Sequence, residues 1–258
     1  MAVATNLTLW NQLKDLQSPK YKWIDLTQSF GEDTPRWPGF EPLKNTVLFD
    51  FPEAPMKVNH YAFPGQYGTH VDAPGHFVPN ARLVDEIRVD EFAYPLAVID
   101  VHEKVANNHD YALSIEDVEA FEAEYGQIPE GAFVAMRSDW SKRWPDQDAM
   151  LNKDENGISR YPGWSVDALK FLFEVRNVGA VGHEPFDTDP PLLQQEIGFA
   201  GEDYVLQQDK FQIEVMANLD QVPPVGAIIF ATFPKAKNAT GFPARCFAIA
   251  PVGGEDNE

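Results

Sequence analysis

Short apolar runs and helical spacings alternate along this chain, separated by turn-forming residues. Residues 6–16 read as a short amphipathic helix. Residues 23–26, 45–51 and 57–63 read as strands, and residues 96–101 form a compact β-like run. Ser114 predicts a helix cap, because Asp117 stands three residues on and Ile115, Val118 and Phe121 follow at helical spacing. Residues 132–136 read as a buried strand. Ser165 predicts a second cap, with Val166, Leu169, Leu172 and Phe173 on the inner face. Residues 180–182, 212–216, 227–232 and 244–249 complete the strands. Strands interleaved with few helices predict an α/β fold, a single mixed-sheet domain over residues 23–251. A helical arm over residues 1–22 precedes it, and a short acidic tail over residues 252–258 follows. The polar stretch 142–162 breaks the pattern and reads as a surface loop or insertion.

Composition narrows the function classes. Twenty Lys and Arg against forty Asp and Glu leave a net charge of −20 in 258 residues. That balance argues against nucleic acid and against anionic membranes as partners, since both require concentrated cationic charge. The content of 44% hydrophobic and 23% charged residues excludes a mainly disordered chain. The lone cysteine, Cys246, excludes an intrachain disulfide and a Cys-rich zinc site, and its apolar surroundings predict a small packed hydrophobe. No apolar run approaches the ~20 residues that span a bilayer. Residues 1–17 lack a basic stretch followed by an apolar one, so the expected location is the cytoplasm.

The chemistry concentrates between residues 65 and 77. Gln66, His70, Asp72 and His76 all carry even numbers, so an extended backbone would project them to one side. Gly68, Pro74 and Gly75 argue against a helix there, and Pro74 should end a regular strand. Imidazole and carboxylate are good ligands for Zn²⁺ or Mn²⁺, and an amide oxygen is a weaker, harder one. A further imidazole near such a site can move protons at neutral pH. Residue types alone leave a loop with two surface histidines open.

The segment Gly68-Thr69-His70-Val71-Asp72-Ala73-Pro74-Gly75-His76 resembles the signature of the cyclase superfamily of metal-dependent hydrolases, which includes bacterial kynurenine formamidases and isatin hydrolases. Other segments are similar to the same family: Thr34-Pro35 with Trp37-Pro38-Gly39, the stretch from Gly182 to Asp189, Ile213-Glu214 with Asn218-Leu219-Asp220, and Gly241-Phe242-Pro243-Ala244-Arg245. The resemblance implies His70 and Asp72 as metal ligands and His76 as the proton shuttle. Gln66 stands where the family carries a histidine ligand, and the resemblance leaves it either as a ligand or as a residue ordering water. Glu214 falls on a glutamate that binds metal in dinuclear members, and is expected as a catalytic residue too, either completing the coordination shell or sharing in proton transfer. Their other ligand to the second ion is a histidine, and here the position is Glu202. The implied cofactor is one divalent ion, Mn²⁺ or Zn²⁺, with the oxygen-rich set favouring Mn²⁺ and a second ion in doubt.

Three further groups are candidates. His183 follows a buried strand and is either a catalytic or substrate-contacting residue or a hydrogen-bonded structural one. Trp37 and Phe40, with Phe30, lie in a Pro/Gly-rich loop and either line an aromatic-binding pocket or pack in the core. Arg137 either clamps a carboxylate or pairs with nearby acids. The expected activity is hydrolysis of a small aromatic or cyclic amide or imide by metal-activated water. A lactone or ester hydrolase is the alternative, and a non-catalytic binding protein on the same fold is the third reading. The resemblance further implies a homodimer or homotetramer.

Overall fold

The computed structural model describes residues 7–253; the first six residues of the expected arm and residues 254–258 of the acidic tail lie outside the described residues. The strands are β1 (Tyr21–Asp25), β2 (Lys44–Phe49), β3 (Val58–Ala62), β4 (His70–Asp72), β5 (Ala93–Asp100), β6 (Ala112–Leu113), β7 (Phe133–Arg137), β8 (Gly163–Trp164), β9 (Ala180–His183), β10 (Gln212–Glu214), β11 (Ala227–Thr232), β12 (Gly241–Pro243) and β13 (Arg245–Pro251). The helices are α1 (Thr8–Leu16), α2 (His102–Asn107), α3 (Ile115–Tyr125), α4 (Gln147–Leu151), α5 (Val166–Lys170), α6 (Pro191–Ile197) and α7 (Ala200–Gln207). Both expected caps form. The Ser114 hydroxyl accepts from the Asp117 amide while the Asp117 carboxylate accepts from the Ser114 amide, and Ser165 accepts from Ala168. No described helix is long and apolar enough to cross a membrane.

Nine strands form one mixed sheet in the order β1-β13-β11-β5-β7-β9-β10-β4-β12. The run β5-β7-β9-β10 is parallel, and the pairings outside it are antiparallel. Strands β12 and β13 are consecutive, with only Ala244 between them, yet they sit seven places apart in the sheet. Seven flat spacings would span about 34 Å, and two residues of chain reach about 7 Å. The sheet must therefore curl until its two ends approach. A bridge between Thr27 and Met216 and a bond from the Ala217 amide to the Leu26 carbonyl help close it.

The curl divides the core by strand face. Leu96, Val98, Phe133 and Ala135 join Val71, Ile213 and Ile229 in one cluster. Ala97, Ile99, Val134 and Met136 point the other way and join Val118, Phe121, Ala168, Leu169 and Val205 from the helices. This is the period of two that a sheet buried on both faces requires.

Two expectations change. Residues 142–162 are not wholly a surface loop: α4 lies within them, and Met150, Leu151 and Tyr161 are buried beside Trp140. The Trp140 indole donates to the Met150 carbonyl, so these few apolar residues anchor an otherwise polar stretch. The strand expected over 212–216 stops at Glu214, because Val215 adopts φ 56°, in the left-handed region. That conformation costs a β-branched residue on the order of 1–3 kcal/mol. The Val215 amide donates to the Pro185 carbonyl and its own carbonyl accepts from the Thr69 hydroxyl at 2.6 Å, which holds the turn.

Candidate metal centre

Strand β4 runs between β10 and β12, with His70 opposite Glu214 and Asp72 opposite Gln212. Residues two apart on a strand share a face, so this register gathers His70, Asp72, Gln212 and Glu214 on one side of the sheet. Gly68 precedes the strand at φ 62°, a conformation that disfavours a Cβ. Its carbonyl lies 2.9 Å from His70 Nδ1 and accepts the ring proton there. In the neutral ring Nε2 is therefore the free lone pair. It lies 3.4 Å from Asp72 Oδ2 and 3.4 Å from Glu214 Oε2.

A lone pair facing two buried carboxylates is repulsive unless a cation stands between them. All three side chains are buried, and Asp72 Oδ1 has no hydrogen-bond partner. Burial works against a charged His70 ring, but Asp72 and Glu214 outweigh it and hold the imidazole well above its usual pKa; a proton does there what a metal cation would do. The donor atoms of His70, Asp72 and Glu214 all lie within 4.8 Å of one another. Imidazole nitrogen with two carboxylates is a normal set for a divalent transition ion, and the carbonyl on the far ring nitrogen is the usual support for such a ligand. The residues fit a metal ion.

His76 and Glu202 adjoin this cradle. Pro74 ends β4 and opens a 3-10 turn, Pro74–His76, which swings His76 over the site; the common-side reading holds along the strand for His70 and Asp72, and the turn delivers His76. His76 Nε2 lies 3.9 Å from Asp72 and 3.8 Å from Glu202 Oε1. Asp72, His76 and Glu202 form a second group with metal-ligand spacing that shares Asp72 with the first. Glu202 sits on α7, whose first amides, at Gly201 and Glu202, donate to the Asp189 carboxylate at 2.7 and 3.0 Å. A Cβ at Gly201 would lie 2.7 Å from that carboxylate, so the glycine permits the contact. Burial, with Glu214 and Asp72 close by, pushes the Glu202 carboxyl well above the usual range.

The Gln66 side-chain nitrogen lies 3.4 Å from His76 Nδ1 and 3.4 Å from the Thr240 hydroxyl. Donation to Nδ1 makes neutral His76 the Nε2–H tautomer. Gly241 backs this amide: a Cβ there would lie 2.4 Å from it.

His183 is fully buried and does not line the cavity; its Nε2 lies 3.3 Å from Glu214 Oε1, and its Nδ1 accepts from the Trp164 indole at 3.3 Å. It touches Glu214 where a substrate contact was expected. Gln212 donates a hydrogen bond to Glu214, at 3.1 Å. Arg137 pairs with Asp100 and Asp139, the plainer of its two readings. Cys246 is fully buried, and burial pushes its thiol up to about 12.

The cradle forms the floor of a cavity of about 230 Å³. Trp37 and Phe40 line it, with Gln66, His76, Phe77, Phe186, Asp187, Phe199 and Glu202. Phe30 stacks edge-on with Phe63 and Tyr67 instead. Asp187 accepts from the Tyr161 hydroxyl and the Gln194 amide, and burial with Glu214 raises its carboxyl to about 6. Sequence reasoning missed Asp187, Gln212 and the phenylalanines. Signals for two existed: Asp187 lies in the Gly182–Asp189 segment already singled out, and Gln212 stands two residues before Glu214 on the same strand face.

The "Cyclase" family model matches residues 24–190. The chain belongs to the cyclase family. Isatin hydrolase of Roseibium aggregatum is 35% identical over 256 residues, covering 92% of this chain and 94% of that protein. Among solved structures, isatin hydrolase A from Labrenzia aggregata bound to benzyl benzoate superposes with a TM-score of 0.88 at 31% identity, covering 95% of this chain and all of that one. An isatin hydrolase bound to the product analogue thioisatinate gives 0.90 at 28% identity, covering 97% of this chain and all of that one. Like these cyclase-family relatives, the chain is a hydrolytic enzyme.

Proposed function

We propose that this cyclase-family hydrolase opens the C–N bond of a small aromatic cyclic amide or imide, with one divalent ion held by His70, Asp72 and Glu214. The observation that carries the reading is the buried Nε2 of His70 facing two carboxylates at the floor of an aromatic-walled cavity. The volume of about 230 Å³ falls just below the usual range for ligand sites, which suits a compact ring system. Similarity to isatin hydrolases over nearly the whole chain supports a cyclic imide-like substrate. The oxygen-rich donors favour Mn²⁺ over Zn²⁺.

Bound in the cradle, the ion supplies Lewis acidity to a carbonyl and lowers the pKa of a coordinated water towards about 7. The protein does the rest. Trp37, Phe40, Phe77 and Phe186 seat the ring and exclude bulk water. Glu202 accepts the proton of the attacking water, and His76, whose Nε2 lies 3.8 Å from Glu202, hands its Nε2 proton to the leaving nitrogen as Glu202 returns the water proton to Nε2. Gln66 holds the His76 ring. His183 and Gln212 fix Glu214, so that its carboxylate meets the ion without rearrangement.

The test is hydrolysis of a panel: an isatin-like imide, a formanilide and an unsaturated lactone. The reading expects turnover of the imide above the lactone. Turnover of the lactone alone would mean the same site serves ester chemistry, and no turnover with metal bound would remove the assignment.

A homodimer is part of this proposal. Val47, Leu48 and Phe49 on β2, Phe51 and Met56 beyond it and Tyr61 on β3 are all exposed, as are Leu9, Trp10 and Leu13 on α1. Apolar surface of this extent supports an interface. A monodisperse monomer in light scattering at micromolar concentration would contradict it.

A further inference from the structure

Arg36 lines the same cavity and is the only lysine or arginine among the described residues to do so. It shares this lining with four carboxylates, Asp72, Asp187, Glu202 and Glu214. In a chain of net charge −20, every other arginine except Arg143 pairs with a carboxylate. Arg143 is accounted for by its stacking at 3.7 Å over Trp140. Arg36 has no carboxylate partner among the described residues.

The residue is nevertheless held in place. The Gln147 side chain clamps its backbone, accepting from the Arg36 amide at 2.7 Å and donating to the Arg36 carbonyl at 2.8 Å. The guanidinium Nε donates to the Phe40 carbonyl at 3.0 Å, and Nη1 reaches the Thr34 carbonyl at 3.5 Å. Nη2 has no hydrogen-bond partner among the described residues. A guanidinium offers five donors in a fixed fork, and its spare edge matches a carboxylate. The adjoining Trp37 and Phe40 seat a ring. Apart from the ion that the floor would hold, Arg36 is the fixed cation that an anion entering this cavity meets.

We propose that Arg36 is a specificity-determining residue that binds the carboxylate of a small aromatic acid in this cavity. The inference rests on the proposed function only in taking this cavity as the substrate pocket. Two sources of that carboxylate share the chemistry. One is an acidic substituent on the substrate. The other is the acid released when a cyclic amide opens, since addition of water across the C–N bond gives one carboxylic acid and one amine.

The experiment compares 2-aminobenzoate with its neutral isostere 2-aminobenzamide, binding each to the metal-loaded protein and following ligand fluorescence. The wild type is expected to favour the carboxylate by about 10- to 100-fold, the range of a charge-assisted hydrogen bond. Arg36→Met brings that ratio towards one, and Arg36→Lys keeps part of it. A loop-packing role for Arg36 weakens both ligands alike and leaves the ratio unmoved. A carboxylate bound on the ion alone also leaves the ratio unmoved in Arg36→Met. Either result, or no preference in the wild type, overturns the proposal. Kinetics then separate the sources. If the substrate is acidic, Arg36→Met lowers the ratio of kcat/KM for 4-carboxyformanilide over formanilide. If the acid is the product, Arg36→Met weakens inhibition by 2-aminobenzoate and that ratio stays constant. Absence of all amide turnover would remove the proposed function, while the binding ratio would still decide the role of Arg36.

Discussion

His70 and Glu214 stand opposite each other on neighbouring strands, with Nε2 of one 3.4 Å from Oε2 of the other. Because the Gly68 carbonyl takes the proton of the other ring nitrogen, this contact is a lone pair against an anion until a cation joins it. Asp72 meets the same nitrogen at the same distance, so the three residues act as one unit.

Removing any part of that unit should release the ion. His70→Ala and Asp72→Ala are expected to lose both bound metal and activity. His76→Ala should retain metal and lose turnover by about 10²–10⁴-fold, the usual contribution of a general acid–base. Elemental analysis of the three variants beside their kcat checks this. A metal-free His76 variant would make His76 a ligand and move the proton-transfer role elsewhere.

Gln66 occupies the position of a histidine ligand in the motif, and its amide touches His76 and Thr240. Gln66→His replaces a hard amide with a borderline nitrogen donor. If residue 66 reaches the ion, competitive loading should shift from Mn²⁺ towards Zn²⁺ in the variant. Equal preference in the two proteins would confine Gln66 to holding the His76 ring.

His183 is a positioning residue for Glu214 in this account. His183→Leu should weaken metal affinity by about 10- to 100-fold, the usual effect of removing a residue that supports a ligand. Calorimetric metal titration reads the affinity, and circular dichroism reports whether the fold survives. Unchanged affinity in a folded variant would make His183 a packing residue only.

Much of this site was legible because β4 is extended: His70 and Asp72 share a face by the period of two, and Pro74 ends the strand as a proline should. The core strands were legible for the same reason, since β5, β7 and β11 are compact apolar runs. Glu202 was reachable only through the family pattern. Its helix is eight residues long, carries a glycine in its first turn, and is capped by Asp189, which is twelve residues distant from Gly201. The cavity wall was legible in part, at Trp37 and Phe40. Phe77, Phe186 and Phe199 come from three separate segments that only the tertiary fold brings to one cavity. Helix α4 was hidden because two buried residues, Met150 and Leu151, are too few to set a period.

Stability at low pH should report on the α3 cap. Burial alone would raise the Asp117 carboxyl, but the Lys104 ammonium, the Ser114 amide and the Tyr111 hydroxyl outweigh it and hold it below the usual range. A depressed folded-state pKa gives stability that is fully present above the unfolded value of about 3.9 and is lost as pH falls through the folded value. Asp117→Asn should therefore destabilise the protein by about 1 kcal/mol at pH 7, the size of a lost cap. The gap to wild type should narrow below about pH 4. Denaturant melts at pH 7 and pH 3 measure it, and a gap that stays constant would mean the carboxylate charge is not the source.

The central claim is that the cradle of His70, Asp72 and Glu214 holds the ion on which hydrolysis depends. The direct measurement is to strip the protein with a chelator, titrate Mn²⁺ back, and follow opening of an isatin-like imide at each step, in wild type and in Asp72→Asn. The account predicts no turnover in the stripped protein and recovery that saturates near one ion per chain. It also predicts no recovery in Asp72→Asn at the same ion concentrations. Full turnover in the stripped wild type, or equal recovery in the variant, would contradict it.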